Sequence, residues 1–458
     1  MAVWSVASNR EIVSAGRTDA EYFHPDFLIA EKKLLQHPTI QISKEFFISD
    51  GNHLGVSKHF TTDGSVPYYR GQDINDFFLE NANPVRIPQW IFDKPNMLRS
   101  HFSAKDILIC IVGASTGTIG LVSDGDTPCT GSCKIGIVRR KPNGIIDPLF
   151  LSAFLLGKYG QYQIKRNSRG TAQGGLILID LLKLYVPVFP EPDQIVIRGL
   201  VSQAVNFNSE SRKKLMQAQL LLETELGLDK LRFDKPVGYT ARFSELELSR
   251  RADAEYFNPE LRYFHCEIAK KHSLKSITEY AKILKLSNPS YGSEGVPIIT
   301  QKHLGEISPD KYGDDLIAQD SWVNANPLAV LRKNDLLYYS VGAYLGKTNL
   351  WLSDDRAVHA SFITMLRCHD QADAGFLQVL LNSTYGILQS KCFQSGTSQP
   401  YIYPKDIRRF LVPDVSVSLR QEIHDLVFKS YEKAKESKRL LDQAKTRVEE
   451  LIEEAVQA

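Results

Sequence analysis

One nonapeptide occurs twice in this chain of 458 residues, once near the start and once past the middle. The first copy, RTDAEYFHP, covers residues 17–25, and the second, RADAEYFNP, covers residues 251–259, with seven of the nine positions identical. A gene duplication leaves an offset between its copies that changes only where loops gain or lose residues. The repeated nonapeptide therefore predicts further matches at nearly the same offset.

Such matches continue along the chain, and their offset falls gradually from 234 to 226 residues. The whole sequence is therefore two homologous halves in tandem, each of roughly 230 residues, which is the size of a domain and far longer than a solenoid repeat. The matched segments are residues 66–68 with 296–298, 106–108 with 335–337, 170–173 with 396–399, and 186–187 with 412–413.

Each half predicts the same order of elements. A turn over Asp-Ala-Glu-Tyr-Phe leads into a helix that begins at Pro25 or Pro259, because proline is favoured in the first helical turn. A middle of roughly 100 residues alternates short β-rich runs with turns, which predicts a small sheet or a partial barrel. A helix over about 147–163 or 373–389, a polar loop and a strand ending in Val-Pro follow, and a long helix closes each half.

The two closing helices, over residues 194–226 and 420–452, have a seam with a period of 3.5 residues, which is typical of a coiled coil. Alanine and serine at alternate seam positions predict a close approach of two backbones, so we expect these helices to pair with each other. Each would then form a rod of roughly 50 Å that holds two domains at a fixed spacing. The alternative is that each helix packs only on its own domain. The larger seam residues are Val201, Leu215, Leu222, Val427, Leu441 and Val448.

Composition limits the class of protein. Apolar residues make up 43% and charged residues 24% of the chain, as in ordinary globular proteins, and no apolar run has the length of a membrane span. We expect a cytoplasmic protein. The net charge of +2 permits nucleic-acid binding but does not require it. None of the six cysteines has a counterpart in the sister half, and we expect no metal site.

A glycine-rich turn leaves an enzymatic alternative open. Residues 113–120, Gly-Ala-Ser-Thr-Gly-Thr-Ile-Gly, follow an apolar strand as a dinucleotide-binding turn would, and they allow an enzyme that binds a nucleotide cofactor. Against it, Gly120 has no counterpart in the sister half. A second alternative is a purely structural protein that assembles through its coiled coil.

The order of these features resembles the specificity subunits of type I restriction-modification systems. The resemblance covers nearly the whole chain and is carried by the tandem halves, the Asp-Ile-Leu and Asp-Leu-Leu patterns at 106–108 and 335–337, the two Gly-Thr-x-Gln loops, and Val-Pro before each closing helix. The entry to the first of these helices departs from the family pattern Pro-Pro-x-x-Glu-Gln, since it reads Pro-Glu-Pro-Asp-Gln over residues 190–194.

The resemblance implies an α+β fold with a pseudo-twofold internal repeat, in which two small, β-rich target-recognition domains are separated by two long helices pairing as an antiparallel coiled coil. The domains would be 1–190 and 229–416, and the spacer helices 191–228 and 417–458. The chain would be a non-catalytic subunit that reads an asymmetric, two-part sequence in double-stranded DNA, with no cofactor of its own. Two adenine-methyltransferase subunits, which would bind S-adenosylmethionine, are the implied partners, and restriction subunits are also compatible.

Base recognition needs forked donors and acceptors, such as those of arginine, glutamine and asparagine, on loops that the scaffold presents. Lysine and arginine near such loops would contact phosphates, giving affinity without sequence preference. The candidate base contacts are Arg70, Gln72, Arg169, Thr171 and Gln173 in the first half, and Thr300, Gln301, Lys302, Ser395, Thr397 and Gln399 in the second. The candidate phosphate contacts are Lys158, Lys165, Arg166, Lys391, Lys405, Arg408 and Arg409.

Overall fold

The computed structural model describes residues 3–61, 64–79, 83–170, 174–234, 236–285, 287–310, 312, 316–396 and 398–454. The chain divides into two compact units, one made of Met1–Ser209 with Ala434–Ala458 and the other of Glu210–Lys433. Both are mixed α+β structures, and each contains one segment of each of the two long helices. The predicted fold class is confirmed.

The first unit contains ten strands and seven complete helices among its described residues. Its strands are β1 (Thr39–Gln41), β2 (Phe46–Asp50), β3 (Val66–Tyr69), β4 (Val85–Ile87), β5 (His101–Phe102), β6 (Ile107–Cys110), β7 (Ile119–Leu121), β8 (Cys129–Gly131), β9 (Ile135–Arg140) and β10 (Tyr185–Pro187). Its helices are α1 (Asn9–Ala15), α2 (Pro25–Leu34), α3 (Ile42–Glu45), α4 (Gln89–Phe92), α5 (Pro148–Leu156), α6 (Lys158–Asn167) and α7 (Leu178–Leu181), and they are followed by the long helix α8 (Glu191–Leu226).

The second unit repeats most of this order. Its strands are β11 (Leu274–Ser276), β12 (Ala281–Leu284), β13 (Tyr291–Gly292), β14 (Val296–Ile299), β15 (Ile317–Ala318), β16 (Asp335–Tyr339), β17 (Thr348–Leu350), β18 (Val358–His359), β19 (Ile363–Cys368) and β20 (Leu411–Pro413). Its helices are α9 (Phe243–Ser249), α10 (Pro259–Ile268), α11 (Asp320–Ala325), α12 (Ala372–Asn382), α13 (Thr384–Phe393) and α14 (Pro404–Ile407), and they are followed by the long helix α15 (Val417–Glu454).

Equivalent strands form equivalent sheets in the two units. A four-stranded antiparallel sheet has the order β2-β9-β6-β7 in the first unit and β12-β19-β16-β17 in the second. A second sheet contains a parallel pair, β3 with β8 or β14 with β18, and a two-stranded ribbon joins β1 to β10 or β11 to β20. The central strands β6 and β16 are buried at every position, and both are rich in the β-branched, leucine and aromatic residues that pack well in a sheet interior.

The single helix predicted over about 147–163 or 373–389 is two helices in each unit. The helix is interrupted at Gly157 in the first unit and at Ser383 in the second, where the backbone is extended, and α6 or α13 begins at the next residue. A glycine lies in the next turn of each second helix, and a Cβ atom on Gly160 or Gly386 would lie 2.3 Å from the carbonyl oxygen of Phe154 or Leu380. The break therefore lets two helices cross at a distance that only glycine allows.

The two long helices pair antiparallel, as predicted. Within the first unit, Ser437 Oγ donates to the carbonyl oxygen of Ala204 at 2.5 Å, and Arg447 forms an ion pair with Asp193 at 3.3 Å. Within the second unit, Ser430 Oγ donates to the carbonyl oxygen of Ser211 at 2.7 Å. A serine hydroxyl can reach the backbone of a neighbouring helix only when the two helices are close, which is what the small seam residues predict.

Most of the seam is buried where the spacing places it. Each helical segment also packs against the core of its own unit, so the helices pair with each other and do not pack on their domains alone. The exception is Leu441, which is half-buried, whereas its neighbour Leu440 is buried. Towards its end, α15 packs on the first unit's core, and its buried face shifts towards Leu440 and Ile452. The buried seam residues are Val201, Leu215, Leu222, Val427 and Val448.

Candidate nucleic-acid interface

Three loops meet at one place in the first unit, and we call them the first loop cluster: residues 70–73 after β3, 111–118 between β6 and β7, and 168–170 with 174–176 after α6. Ser115 Oγ donates to the carbonyl oxygen of Gly71 at 3.0 Å, joining the first two loops. Gly174 accepts hydrogen bonds from the amide of Gly113 at 3.2 Å and from Thr116 Oγ1 at 2.9 Å, joining the third.

The second unit has the same arrangement, the second loop cluster, made of residues 300–303, 340–347 and 394–396 with 398–402. Gln301 donates from its side-chain amide to the carbonyl oxygen of Val341. The amide of Gly342 donates to the carbonyl oxygen of Pro400 at 2.8 Å, and that of Ile402 to Ser340 at 2.9 Å. The sequence repeat is therefore a repeat of one surface built from three loops.

The glycine of each Gly-Thr-x-Gln loop has a backbone that requires glycine. The φ angle is 94° at Gly170 and 86° at Gly396, in the region that other residues rarely adopt. The middle loop of each cluster contains a similar glycine, with φ of 102° at Gly113 and 78° at Gly342. These glycines recur at matched positions because the two clusters turn in the same way.

The repeated nonapeptide holds the third loop of each cluster in place. In the first unit, the guanidinium of Arg17 forms an ion pair with Asp19 at 2.7 Å and donates to the carbonyl oxygens of Arg166, Asn167 and Ser168, where α6 ends. These carbonyls have no partner further along the helix, so the arginine caps the helix and fixes the start of the loop.

The second copy does the same in its own unit. Arg251 pairs with Asp253 at 2.7 Å and donates to the carbonyl oxygens of Phe393 and Gln394, at the end of α13. In both units the arginine lowers the pKa of its aspartate, through a hydrogen bond first and through charge attraction second. The requirement to cap an equivalent helix end in each unit explains why the chain contains the nonapeptide twice.

The tyrosine of each nonapeptide has two arginines close to its ring. Tyr22 has Arg17 at 4.8 Å and Arg166 at 4.3 Å from its ring centre, and Tyr256 has Arg251 at 4.7 Å and Arg409 at 5.2 Å. The second arginine comes from different positions of the repeat, since Arg166 lies in α6 and Arg409 follows α14. Two cations on one aromatic ring stabilise the base of each loop cluster.

A buried ion pair supports the sheet beneath each cluster. Asp106 accepts from Arg139 at 2.9 and 2.6 Å, and Asp335 accepts from Arg367 at 2.8 and 2.7 Å. Both aspartates are only 1% exposed, so the bidentate arginine supplies the hydrogen bonds that a buried carboxylate needs. The Asp-Ile-Leu and Asp-Leu-Leu patterns therefore have a structural origin.

The predicted base contacts of the first half lie in the first loop cluster, where the structure describes them. Gln72 and Arg169 are exposed, and Arg70 is partly exposed. Arg70 is paired to Asp73 at 2.9 Å, and Arg169 is paired to Asp180 at 2.9 Å. The predicted contacts at Thr171 and Gln173 lie outside the described residues.

The predicted base contacts of the second half differ more in exposure. Lys302 and Gln399 are exposed in the second loop cluster, whereas the side chain of Gln301 is turned inward to Val341. The hydroxyl of Thr300 is buried, and Ser395 is half-buried with its backbone paired to Tyr401. Gln301 and Thr300 therefore shape the turn in this structure, which does not fit direct base contact. Thr397 lies outside the described residues.

The predicted phosphate contacts divide into exposed and engaged side chains. Lys158 is exposed but forms an ion pair with Glu453 at 3.7 Å, and Arg409 is exposed over the rings of Tyr256 and Phe393. Arg166 is 8% exposed, and its guanidinium pairs with Glu31 at 2.6 Å, so this residue supports the fold and does not fit phosphate contact. The remaining exposed candidates are Lys165, Lys391, Lys405 and Arg408.

The structure adds exposed cluster residues that sequence reasoning missed. In the first cluster, Lys134 is exposed beside Gly71, at the start of β9. Phe362, its counterpart in the second unit, is 53% exposed, and Tyr344 in the middle loop is 49% exposed. Lys134 and Phe362 precede matched strands. The backbone carbonyl oxygen of each accepts a hydrogen bond from the middle loop, from the amide of Ile111 at 2.9 Å or of Ser340 at 3.0 Å. An exposed aromatic residue directly before a buried strand was the available signal.

The Gly113 turn does not have the structure of a dinucleotide-binding turn. It joins β6 to β7, which are adjacent antiparallel strands of one sheet. A dinucleotide-binding turn joins a strand to a helix whose N-terminus faces the pyrophosphate. The alternative of a nucleotide-cofactor enzyme using this turn therefore receives no support from the fold.

Among the residues that the structure describes, no group of three or more His, Cys, Asp or Glu residues is arranged to hold a metal ion. No helix among them is long and apolar enough to cross a membrane.

The fold and the loops together define a duplicated α+β protein with one three-loop surface per unit and a paired-helix element. No family model matches the chain, and no curated protein matches it. Among solved structures, the chain is similar to the S subunit of a type I restriction-modification system from M. genitalium, with 15% identity, a TM-score of 0.44, and coverage of 91% of this chain and 95% of that one.

Two further solved structures are similar over the same share of this chain. The HsdS subunit from Thermoanaerobacter tengcongensis has 15% identity and a TM-score of 0.28, with 91% of this chain and 96% of that chain covered. A chain from a study of the assembly and conformational transition of the type I R-M system has 14% identity and a TM-score of 0.30, with 91% and 97% covered.

Proposed function

We propose that this chain is the DNA-recognition subunit of a type I restriction-modification complex, in which each loop cluster contacts one half of a two-part site in double-stranded DNA. The observation that carries the proposal is that the two loop clusters share one backbone framework but present different exposed side chains. Both clusters use the same glycines and the same carbonyl-capping arginine, whereas the exposed side chains at matched positions are different.

Differences at matched positions favour a two-part, asymmetric target over two identical half-sites. Lys134 corresponds to Phe362, Ser115 to Tyr344, and Gln72 to Lys302. Base edges in the major groove are distinguished by the donors, acceptors and apolar groups that approach them. Two surfaces with such different groups would select different bases.

The chain would act without a catalytic group of its own. We propose that adenine methylation is carried out in the cytoplasm by two methyltransferase subunits bound to this chain, with S-adenosylmethionine in those partners. Restriction subunits would join the same complex in a complete system. Against the second alternative, a purely structural coiled-coil protein would not need two different exposed surfaces.

A binding selection tests the proposal. The full chain would be incubated with duplex DNA containing a randomised stretch of about 20 base pairs, and the retained DNA sequenced, at two salt concentrations. We expect enrichment of one two-part sequence with different halves, and total binding that weakens as salt rises, because phosphate contacts release counterions. Binding that is insensitive to salt and enriches no sequence would contradict the proposal.

A further inference from the structure

Two arginines of the first loop cluster are held by carboxylates in the same way. Arg70 donates from Nε to Oδ2 of Asp73 at 2.9 Å and from Nη2 to Oδ1 at 3.0 Å. Arg169 donates from Nε to Oδ2 of Asp180 at 3.0 Å and from Nη2 to Oδ1 at 3.1 Å. Each guanidinium therefore has one edge fixed, while its Nη1 group has no protein partner within the described part of the chain.

The exposed fractions of the side chains show which part of each pair faces the solvent. The side chains of Asp73 and Asp180 are 8% and 3% exposed, whereas those of Arg70 and Arg169 are 35% and 47% exposed. The carboxylates lie inside the protein and the free edges of the arginines lie at its surface. Both arginines are in loops of one cluster, which the hydrogen bonds through Gly71, Gly174 and Gly175 hold together.

Other arginine–aspartate pairs in the chain have a different character. Arg17 and Arg139 also grip a carboxylate, but each donates in addition to backbone carbonyls, and each pair recurs in the second unit. These pairs belong to the scaffold. Arg70 and Arg169 have no such recurrence, since Thr300 and Ser395 occupy the matched positions of the second unit. The fold of the cluster is therefore formed in the second unit without them.

We propose that Arg70 and Arg169 each recognise a guanine in the half-site contacted by the first unit. This inference rests on the proposed function, since it requires the loop cluster to contact DNA. Guanine presents two acceptors, O6 and N7, on its major-groove edge, and the terminal fork of an arginine matches them with two donors. Asp73 and Asp180 act as positioning residues, because they hold the opposite edge of each guanidinium.

Holding the arginine in advance improves recognition for an energetic reason. A free arginine side chain loses rotamer freedom when it is ordered on a base, and that loss weakens binding. A guanidinium already fixed in one plane by two hydrogen bonds loses less on binding. Because the second unit has hydroxyl residues at both positions, recognition of guanine by this means is confined to the first half-site.

The test compares the sequences selected by the wild-type chain and by variants. Arg70→Lys and Arg169→Lys keep the charge and remove the fork, so each should lose the preference for guanine at one position of one half-site by about ten-fold to a hundred-fold. Binding to random duplex DNA and its dependence on salt should stay unchanged, because the number of charges is the same. The matched control is Arg10→Lys, an exposed arginine of the first unit outside the loop cluster, which should leave every preference intact.

A second variant separates altered recognition from a failure to fold. Arg70→Gln should move the preference at the same position from guanine towards adenine, because the glutamine amide matches the N6 and N7 edge of adenine. A misfolded loop would not produce a new preference. A wild-type site without guanine in the relevant half, or lysine and glutamine variants that keep the guanine preference, would overturn this inference and leave the proposed function standing. If the wild-type chain selects no sequence, the proposed function itself fails.

Discussion

Ser430 donates a hydrogen bond to the carbonyl oxygen of Ser211 at 2.7 Å, from one long helix to the backbone of the other. The two hydroxyls are also within 3.0 Å of each other, and both serines are at most 4% exposed. A contact of this kind leaves no room for a longer side chain. The small residues at this level of the seam therefore set the distance between the helices.

Enlarging the seam should destabilise the helix pair. We expect Ser430→Leu to lower the free energy of unfolding by about 1–3 kcal/mol, because a bulky side chain in a close-packed contact forces the backbones apart. Denaturant unfolding followed by circular dichroism measures the change. Lys429→Leu, at the exposed neighbouring position of α15, is the control and should shift the midpoint little. Equal shifts in the two variants would show that the contact does not limit the helix spacing.

Removing the capping arginine should loosen the third loop of its own unit. Arg17 is 9% exposed in its side chain and donates to Asp19 and to three carbonyl oxygens, so Arg17→Ala should cost about 2–3 kcal/mol. Hydrogen exchange at the amides of Arg169 and Gly175, which bond each other's carbonyls, should accelerate. Arg10→Ala removes an exposed arginine of the same unit and should leave both rates unchanged.

The buried carboxylate under each sheet should not tolerate neutralisation. We expect Asp106→Asn to destabilise the first unit by about 2–3 kcal/mol, because it weakens two charge-assisted hydrogen bonds from Arg139 and one from the amide of Ser103. Asp335→Asn should act similarly in the second unit. Thermal unfolding measures both, with the exposed Asp124→Asn as control. A loss no larger than that of the control would show that the pair is dispensable.

The second unit should lose stability in mild acid through His424. Burial lowers the pKa of this histidine, and its Nδ1 accepts a hydrogen bond from the amide of Gly375 at 3.2 Å, which only the neutral ring can do; Asp425 and Asp370 oppose the shift. With the folded pKa below the unfolded value of about 6.5, the unfolded chain binds more protons between the two, so stability is full above pH 6.5 and falls as the pH decreases towards the folded pKa.

His424→Gln should remove that part of the pH dependence. The difference in thermal midpoint between pH 7.5 and pH 5.5 should be smaller in the variant than in the wild-type chain. The variant is expected to be less stable than the wild-type chain at pH 7.5, because the substitution removes the ring nitrogen that accepts the hydrogen bond from the amide of Gly375. An unchanged pH dependence would mean that His424 is not protonated on unfolding in this range. His53→Gln, an exposed histidine of the first unit, is the control.

Much of the architecture could be predicted because duplication leaves the same pattern twice. Local backbone geometry and a fixed period can both be read from the sequence. They account for the nonapeptide, the glycines of the Gly-Thr-x-Gln loops and the spacing of the seam. The two helix breaks were missed because Gly157 and Ser383 lie between good helix-forming segments. What separates the helices is the crossing at Gly160 and Gly386, a contact between residues that the period alone does not reveal.

The exposure of the site residues was less predictable than their location. Arg166 and Lys165 are neighbours with the same charge, yet one is buried against Glu31 and the other is exposed. That difference depends on which face of α6 meets α2, and composition contains no such information. For the same reason Leu440 is buried in place of Leu441, because the first unit's core contacts α15 beside the helix seam.

The second arginine on each nonapeptide tyrosine has a broader consequence. Arg166 and Arg409 lie over equivalent tyrosine rings but come from unmatched positions of the repeat. The two copies therefore place a second cation on this ring in different ways. The shared fold therefore tolerates changes in the residues that surround the nonapeptide. Under the proposed function, the outward-facing groups of one copy can change while those of the other copy stay the same, so that new targets would arise one half-site at a time.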